Sequence, residues 1–393
     1  MAAAQAPSAP PTPPGAASTG GGSAAILFDS RVRFEGVSQD GLEDANALTA
    51  RLRLGWRSQA VSGFTFLVEG EAVQALADDF NDTIHGPPTQ AVVADPDAAE
   101  LNRLQVTWTG LPRTEVTLGR QRIVLGNARF VGNVGFRQNE QTFDAARVTT
   151  TALEPFTLTY AYIDRVHRVF GDDSPAGEWR SDSHILNVEA PTPVGRLTLY
   201  GYQLAFEDAP AQSSTTYGAR LVGERVISGP WRATWTAELA RQTDNHASNA
   251  SFDLDYSLVS AGLARGPFTM ALARERLDGN GARAFQTPLA TLHAFQGWAD
   301  VFLTTPAAGL TDESIAVGYT WAEPPIGQAI AILGSWRDFS DAQDTVSYGQ
   351  EFDVSARLTL DERWAFELKS AVFDGDGGFA DRSKVWASLE YRF

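Results

Sequence analysis

Arginine is the residue type through which this chain could act on a ligand. Of its 31 basic residues, only Lys369 and Lys384 are lysines. A guanidinium is a planar fork that grips a carboxylate through two parallel hydrogen bonds, which an ammonium cannot do. Arg31 and Arg33 are spaced two apart, as are Arg51 and Arg53, and Arg103 follows further on. Arg113, Arg120, Arg122, Arg129, Arg137 and Arg147 then occur among three acids, Glu115, Glu140 and Asp144. A belt of such groups around a narrow, water-filled path would favour anions. Two plainer readings stand beside this one. The arginines could pair with Glu35, Asp253, Asp255, Glu351 and Asp353 and stiffen a wall, or the bias could reflect a GC-rich genome.

Other chemistries find less support. The chain has no cysteine, which removes disulfides, thiolate metal sites and cysteine nucleophiles. His85, His167, His184, His246 and His293 show no metal-ligand spacing. Asp/Asn groups such as Asp78, Asp79, Asn81 and Asp82, or Asp374 and Asp376, read as solvated loop tips rather than a calcium site. No motif marks a catalytic constellation or a cofactor, so a non-enzyme without metal or cofactor is expected. A net charge of -17 argues against nucleic acid as a partner.

The elements that must carry these arginines are strands. From Ile26 onward, apolar and polar residues alternate in segments of about 10–13 residues, the length a tilted strand needs to cross a bilayer. Leu48, Ala50, Leu52, Leu54 and Trp56 share one face, with Thr49, Arg51, Arg53 and Arg57 on the other. Tyr348, Gln350, Phe352, Val354, Ala356, Leu358 and Leu360 alternate in the same way with Glu351, Asp353, Ser355, Arg357 and Thr359. No apolar run is long enough for a membrane helix; Ile330-Ala331-Ile332-Leu333 stops after a few residues. Only a closed barrel could then span a membrane. With the apolar face toward lipid, Arg31, Arg33, Arg51, Arg53 and Arg103 point inward. Arg120 and Arg122 share parity with apolar Leu118, which leaves their side open.

Connections alternate between tight and long. Ser58–Ser62, Gly110–Arg113, Ser228–Pro230, Arg265–Pro267 and Asp361–Arg363 are tight, whereas Ala75–Ala98, Val124–Glu140, Val166–Arg180 and Thr243–Ser251 are long. Outer-membrane barrels have this layout, with the short turns periplasmic. Ala75–Ala98 holds five aspartates and no Lys or Arg, which places part of the negative charge outside the lumen. Alternating segments number nineteen, yet a barrel with both ends periplasmic needs an even number. Ala294–Thr304 has long flanks on both sides. Removing it from the wall gives about eighteen strands, with Asp278–Thr311 as one long outer connection.

The expected fold is thus all-β, a transmembrane antiparallel up-and-down barrel over 25–393. It follows an Ala/Pro/Gly-rich irregular segment, 1–24, which lacks the basic and apolar regions of a complete signal peptide. Val385, Ala387, Leu389, Tyr391 and Phe393 alternate to an aromatic end. That pattern resembles the insertion signal of bacterial outer-membrane proteins. The expected location is the Gram-negative outer membrane, with lipid and lipopolysaccharide as surroundings.

Several blocks resemble the signatures of a known family. Gly119-Arg120-Gln121-Arg122, Gly126, Arg129-Phe130-Val131-Gly132, Phe136-Arg137-Gln138-Asn139 and Thr142-Phe143-Asp144-Ala145 resemble one signature of the alginate export family of outer-membrane porins. His293-Ala294-Phe295-Gln296-Gly297-Trp298-Ala299-Asp300 resembles a second. The resemblance implies eighteen strands and an arginine-rich conduit for polyuronate, partly closed by loops. Arg120, Arg122, Arg129 and Arg137 match the basic positions of the first signature. An anionic small molecule or a polyuronate is then the expected cargo, and periplasmic export components the further partners. A general small-solute porin is the alternative within transport; an outer-membrane enzyme or adhesion barrel is the alternative outside it.

Overall fold

The alternation of Leu52, Leu54 and Trp56 against Arg51 and Arg53 becomes a wall with opposite chemistry on its two faces. The computed structural model describes residues 23–393. Most of the irregular segment expected over 1–24 lies outside them. Nine strands form the first half: β1 Ala25–Gln39, β2 Ala45–Arg57, β3 Phe64–Asp79, β4 Ala98–Leu111, β5 Thr114–Gln121, β6 Thr142–Thr150, β7 Thr157–His167, β8 Glu178–Thr192 and β9 Gly195–Leu204. Nine complete it: β10 Ser214–Ser228, β11 Trp231–Thr243, β12 Asp253–Arg265, β13 Phe268–Leu277, β14 Leu310–Ala322, β15 Ala329–Ser340, β16 Ser347–Thr359, β17 Trp364–Gly375 and β18 Arg382–Arg392.

Each strand pairs antiparallel with its sequence neighbour, and β18 returns to β1 from Asp29–Arg392 to Gln39–Arg382. Closure removes every sheet edge. β13 pairs directly with β14 from Leu277–Leu310, so 278–309 leaves the wall, including 294–304. The parity argument for eighteen strands holds. Among the described residues no helix is long and apolar enough to cross a membrane.

The wall is inside-out relative to a soluble protein. Leu54 is 55% exposed on the outer face, whereas Arg53 beside it is 5% exposed and faces in. Water would penalise this outer surface and lipid would not. Trp56, Phe64, Trp108, Trp231, Phe268, Trp321 and Trp364 stand outward at the ends of their strands nearest the short turns. They form an aromatic girdle at one membrane interface.

The short turns are built for reversal. Gly229 and Gly266 take left-handed φ values of +51° and +55° directly before Pro230 and Pro267, joining β10 to β11 and β12 to β13. A side chain is strained at such a position and glycine is not. Short turns mark this end as periplasmic. Cysteines placed at Gln59, in such a turn, and at Asp376, in an outer loop, test that orientation. On intact cells an impermeant maleimide is expected to label the Asp376 variant and spare the Gln59 variant; equal labelling overturns it.

Candidate pore constriction

Loop 122–141, between β5 and β6, does not project outward; it runs across the barrel interior. One part lies against β1 and β2. Arg31 Nε donates to Gln138 Oε1 at 2.9 Å and Arg31 Nη2 to the Phe136 carbonyl at 2.7 Å. Gln138 Nε2 donates to Thr49 Oγ1 at 2.8 Å, and the Gln138 amide to Asp95 at 2.8 Å. Another part reaches the far wall. Arg129 Nε donates to Glu275 at 2.6 Å, and the Phe130 ring packs 5.2 Å from Tyr200 and 5.4 Å from Tyr256. β9, β12 and β13 stand across the barrel from β1 and β2. The loop therefore spans the lumen.

Loop 278–309 folds in beside it, along the inner face of β15 to β18. Phe302 packs 4.8 Å from Phe339 and 5.7 Å from Phe373. The Ala299 amide donates to Glu351 at 2.9 Å. Lys369 lies 3.7 Å over the Trp298 ring and 2.6 Å from His293 Nε2. The two loops also join each other: Gly132 N donates to Leu289 O at 2.8 Å and Thr291 N to Ala128 O at 3.0 Å. Ala128, Val134, Gln296 and Asp300 all hold positive φ. Non-glycine residues in that region are strained, and such strain persists where surroundings over-determine it.

Asp300 is where the loops and the wall meet. Its carboxylate takes Arg137 Nη2 at 3.0 Å, Lys384 Nζ at 2.8 Å and His293 Nδ1 at 2.7 Å. Burial, reinforced by the ammonium of Lys369, pulls His293 down to about 3, although Asp300 acts in the opposite sense. Its neutral ring accepts from Lys369 at Nε2 and donates from Nδ1 to Asp300. Burial also works to raise Glu140, but Arg122 and Arg53 outweigh it and hold that carboxylate well below its usual range.

The ten arginines expected to line a pore divide into three groups, and each has an acid partner. Arg31, Arg33, Arg51, Arg53, Arg129 and Arg137 lie inside the barrel but are buried. Arg33 pairs with Asp95, Arg51 with Asp29, and Arg53 with Glu71; Arg31 lies 3.8 Å from Glu390. Except for Arg51, which holds to the wall, these arginines fasten the loops in place. Arg103, Arg122 and Arg147 keep part of their surface open to the lumen. They hold Glu69 at 2.6 Å, Glu140 at 2.6 Å and Glu115 at 3.1 Å. Arg103 shares the interior with Asn102 because a bulge opposite Glu69 adds one residue to β4.

Arg120 corrects the expectation. It pairs across the strands with Leu104, which is 54% exposed, and with Asp144, so it faces outward near the outer rim. Its guanidinium is 2.9 Å from Asp144. The pairing named for Asp253 is found, but on the outer face, and the expectation for Asp95 fails. Asp253 and Asp255 share parity with exposed Val259 and Leu263; they are outer-face residues, and Asp253 pairs with Arg241. Asp95, from the acidic loop placed outside the lumen, is fully buried against Arg33. Glu35 pairs with Arg33, Arg137 and Lys384, as the pairing reading allows, whereas Glu71 and Glu275 are arginine partners that sequence reasoning passed over. Glu71 shares inward parity with Glu69, a signal that was available.

A closed 18-stranded wall, apolar outside and charged within, with loops folded into its lumen, defines a transmembrane β-barrel of the outer-membrane type. Its fold is similar to crystal structures of Pseudomonas aeruginosa OccK9 (OpdG), at TM-score 0.71 and 15% identity over 94% of this chain and 98% of that one. It is also similar to Acinetobacter baumannii OccAB2, at 0.70 and 15%, and to P. aeruginosa OpdK with vanillate, at 0.70 and 14%, with the same coverages. No protein-family model and no curated protein matches the chain, so the resemblance to the alginate export family gains no support from either.

Proposed function

We propose that the chain is a passive outer-membrane pore for small solutes, with a preference for anions. The observation that carries this reading is the loop crossing from Arg137 at β1 to Arg129 at β13, inside a wall lined by polar and charged residues. Such a crossing narrows the lumen, and a narrowed lumen suits small molecules better than polymers. The preference rests on the basic groups that keep access to the lumen. Arg103, Arg122 and Arg147 are partly open, and Arg382 donates to the carbonyls of Ala299 and Asp300 instead of to an acid. OpdK, a barrel of similar fold, was solved with vanillate, an aromatic carboxylate.

The test is the reversal potential of the purified pore in a salt gradient, expected to be anion-preferring and to weaken at high ionic strength as screening shortens. Replacing Arg122 with Ala leaves Glu69 and Glu140 without one of their counter-charges. That variant is expected to shift the reversal potential toward cations. A cation-preferring wild-type pore overturns the anionic preference and leaves the general pore standing. Uronate oligomers of increasing length separate a small-solute pore, which stops passing them after the first few, from a polymer conduit, which does not.

A further inference from the structure

Most arginines on the outer loops and outer strand ends are matched by acids, and Arg168 and Arg382 donate to backbone carbonyls instead. Arg165 pairs with Glu178, Arg180 with Asp208, Arg241 with Asp253, Arg274 with Glu313 and Arg276 with Asp278. Arg283 has no acid partner among the described residues. Its guanidinium carbon lies 3.9 Å over the Phe252 ring, and its Nε and Nη2 are shielded from water without a hydrogen-bond partner. A buried donor left without a partner is unfavourable, more so when it is charged. Asp244 is close enough to act on Arg283 electrostatically, but its Oδ1 accepts from Ser251 and the Phe252 amide.

The backbone around Arg283 is fixed. Asn280 Oδ1 accepts from the amides of Ala282 at 3.0 Å and Arg283 at 2.8 Å, and Gly281 N donates to Ala307 O at 2.9 Å. Beside the guanidinium is a cavity of about 170 Å³ at the outer mouth, between loop 205–213 and loop 278–309. Gln212 and Thr304 bring an amide and a hydroxyl to its lining, and Ala211 and Ala282 leave it open. Gln286 is fixed against Thr305 by bonds of 2.8 and 3.2 Å, which stiffens one side.

We propose that this cavity is an entry site for a small carboxylate, which pairs with Arg283 before the solute reaches the constriction. The Nε and Nη2 edge of a guanidinium matches the two oxygens of a carboxylate, and a turn of the side chain presents it to the cavity. Stacking on Phe252 keeps the cation near its place while empty. This entry site rests on the anionic reading above.

The test uses the full-length pore in a planar bilayer at about 0.1 M salt, where the Debye length is roughly 10 Å. Galacturonate is the probe and galactose its neutral control. Galacturonate added on the outer side is expected to interrupt the wild-type current briefly, and galactose is not. Arg283→Ala is expected to lower the ratio of outer-side to periplasmic-side interruption rates about tenfold, the loss of one charge-assisted pair. Ala282→Trp, which fills the cavity and keeps the arginine, is expected to lower the same ratio. Equal ratios in wild type and both variants, or no interruptions in wild type, overturn the entry site. If the wild-type reversal potential remains anion-preferring in that case, the pore reading survives the loss.

Discussion

Removing Phe285–Thr304 is expected to raise single-channel conductance several-fold without opening the wall. The deleted segment carries Trp298 and Phe302, whose rings occupy the interior along β15 to β18. It also carries Leu289, which braces loop 122–141 through the Gly132 amide. Its ends are close: Gln286 and Thr305 are hydrogen-bonded at 2.8 Å, so a short linker suffices. The pairs from Leu277–Leu310 to Phe268–Tyr319 lie outside the deletion. Heat-modifiable gel mobility then reports an intact barrel beside the larger current. Unchanged conductance overturns the assignment of this loop to the constriction, and failure to form a barrel makes the segment part of the wall's stability.

Replacing Asp300 with Ala is expected to make the channel noisy. Arg137, Lys384 and His293 all lose a carboxylate, and Glu35 remains for the first two at 3.3 and 3.1 Å. Removing one partner from a buried charge network costs about 3–5 kcal/mol. The barrel has eighteen paired strands to resist that, whereas the loop has side-chain contacts and a few backbone bonds. The cost should therefore appear as transient loop displacement, seen as flicker between conductance levels, with barrel mobility unchanged. Because well-packed apolar residues can replace a buried pair at little cost, Asp300→Leu with Lys384→Met is expected to quieten the trace. A steady Asp300→Ala channel removes Asp300 from its place as the common fastening.

Period-2 alternation made the wall legible in the sequence because one face meets hydrocarbon and the other does not. The removal of 294–304 from the wall followed from the even strand number together with the long flanks on both of its sides. What stayed hidden were the partners. Arg129 and Glu275 are 146 residues apart, and Arg137 and Asp300 are 163 apart; no local spacing links them. The arginines read as open charge are therefore mostly closed fastenings. Arg120 keeps the outward parity of Leu118, whereas Arg122 lies beyond the end of β5 and Asn102 is turned inward beside Arg103 by a bulge. Strict alternation weakens near strand ends and bulges, where backbone geometry decides the face. Asp253 and Asp255 were recoverable from the parity of Val259 and Leu263, which their charge obscured.

The aromatic girdle has a consequence for how deep the barrel sits. On β11, ten residues separate Trp231 from Arg241, both outward. At about 3.3 Å per residue and a tilt near 40°, that is roughly 25 Å of apolar height. On β13, six residues separate Phe268 from outward Arg274, or roughly 15 Å by the same arithmetic. With the periplasmic rings as a common baseline, the outer leaflet meets polar groups much lower around β13 and β14 than around β11. Arg274 can lift its charge toward Asp344, 2.5 Å away, but not by a full 10 Å. Lipids on that side must thin, or the barrel axis must lean, and the outer mouth then opens at an angle to the membrane plane.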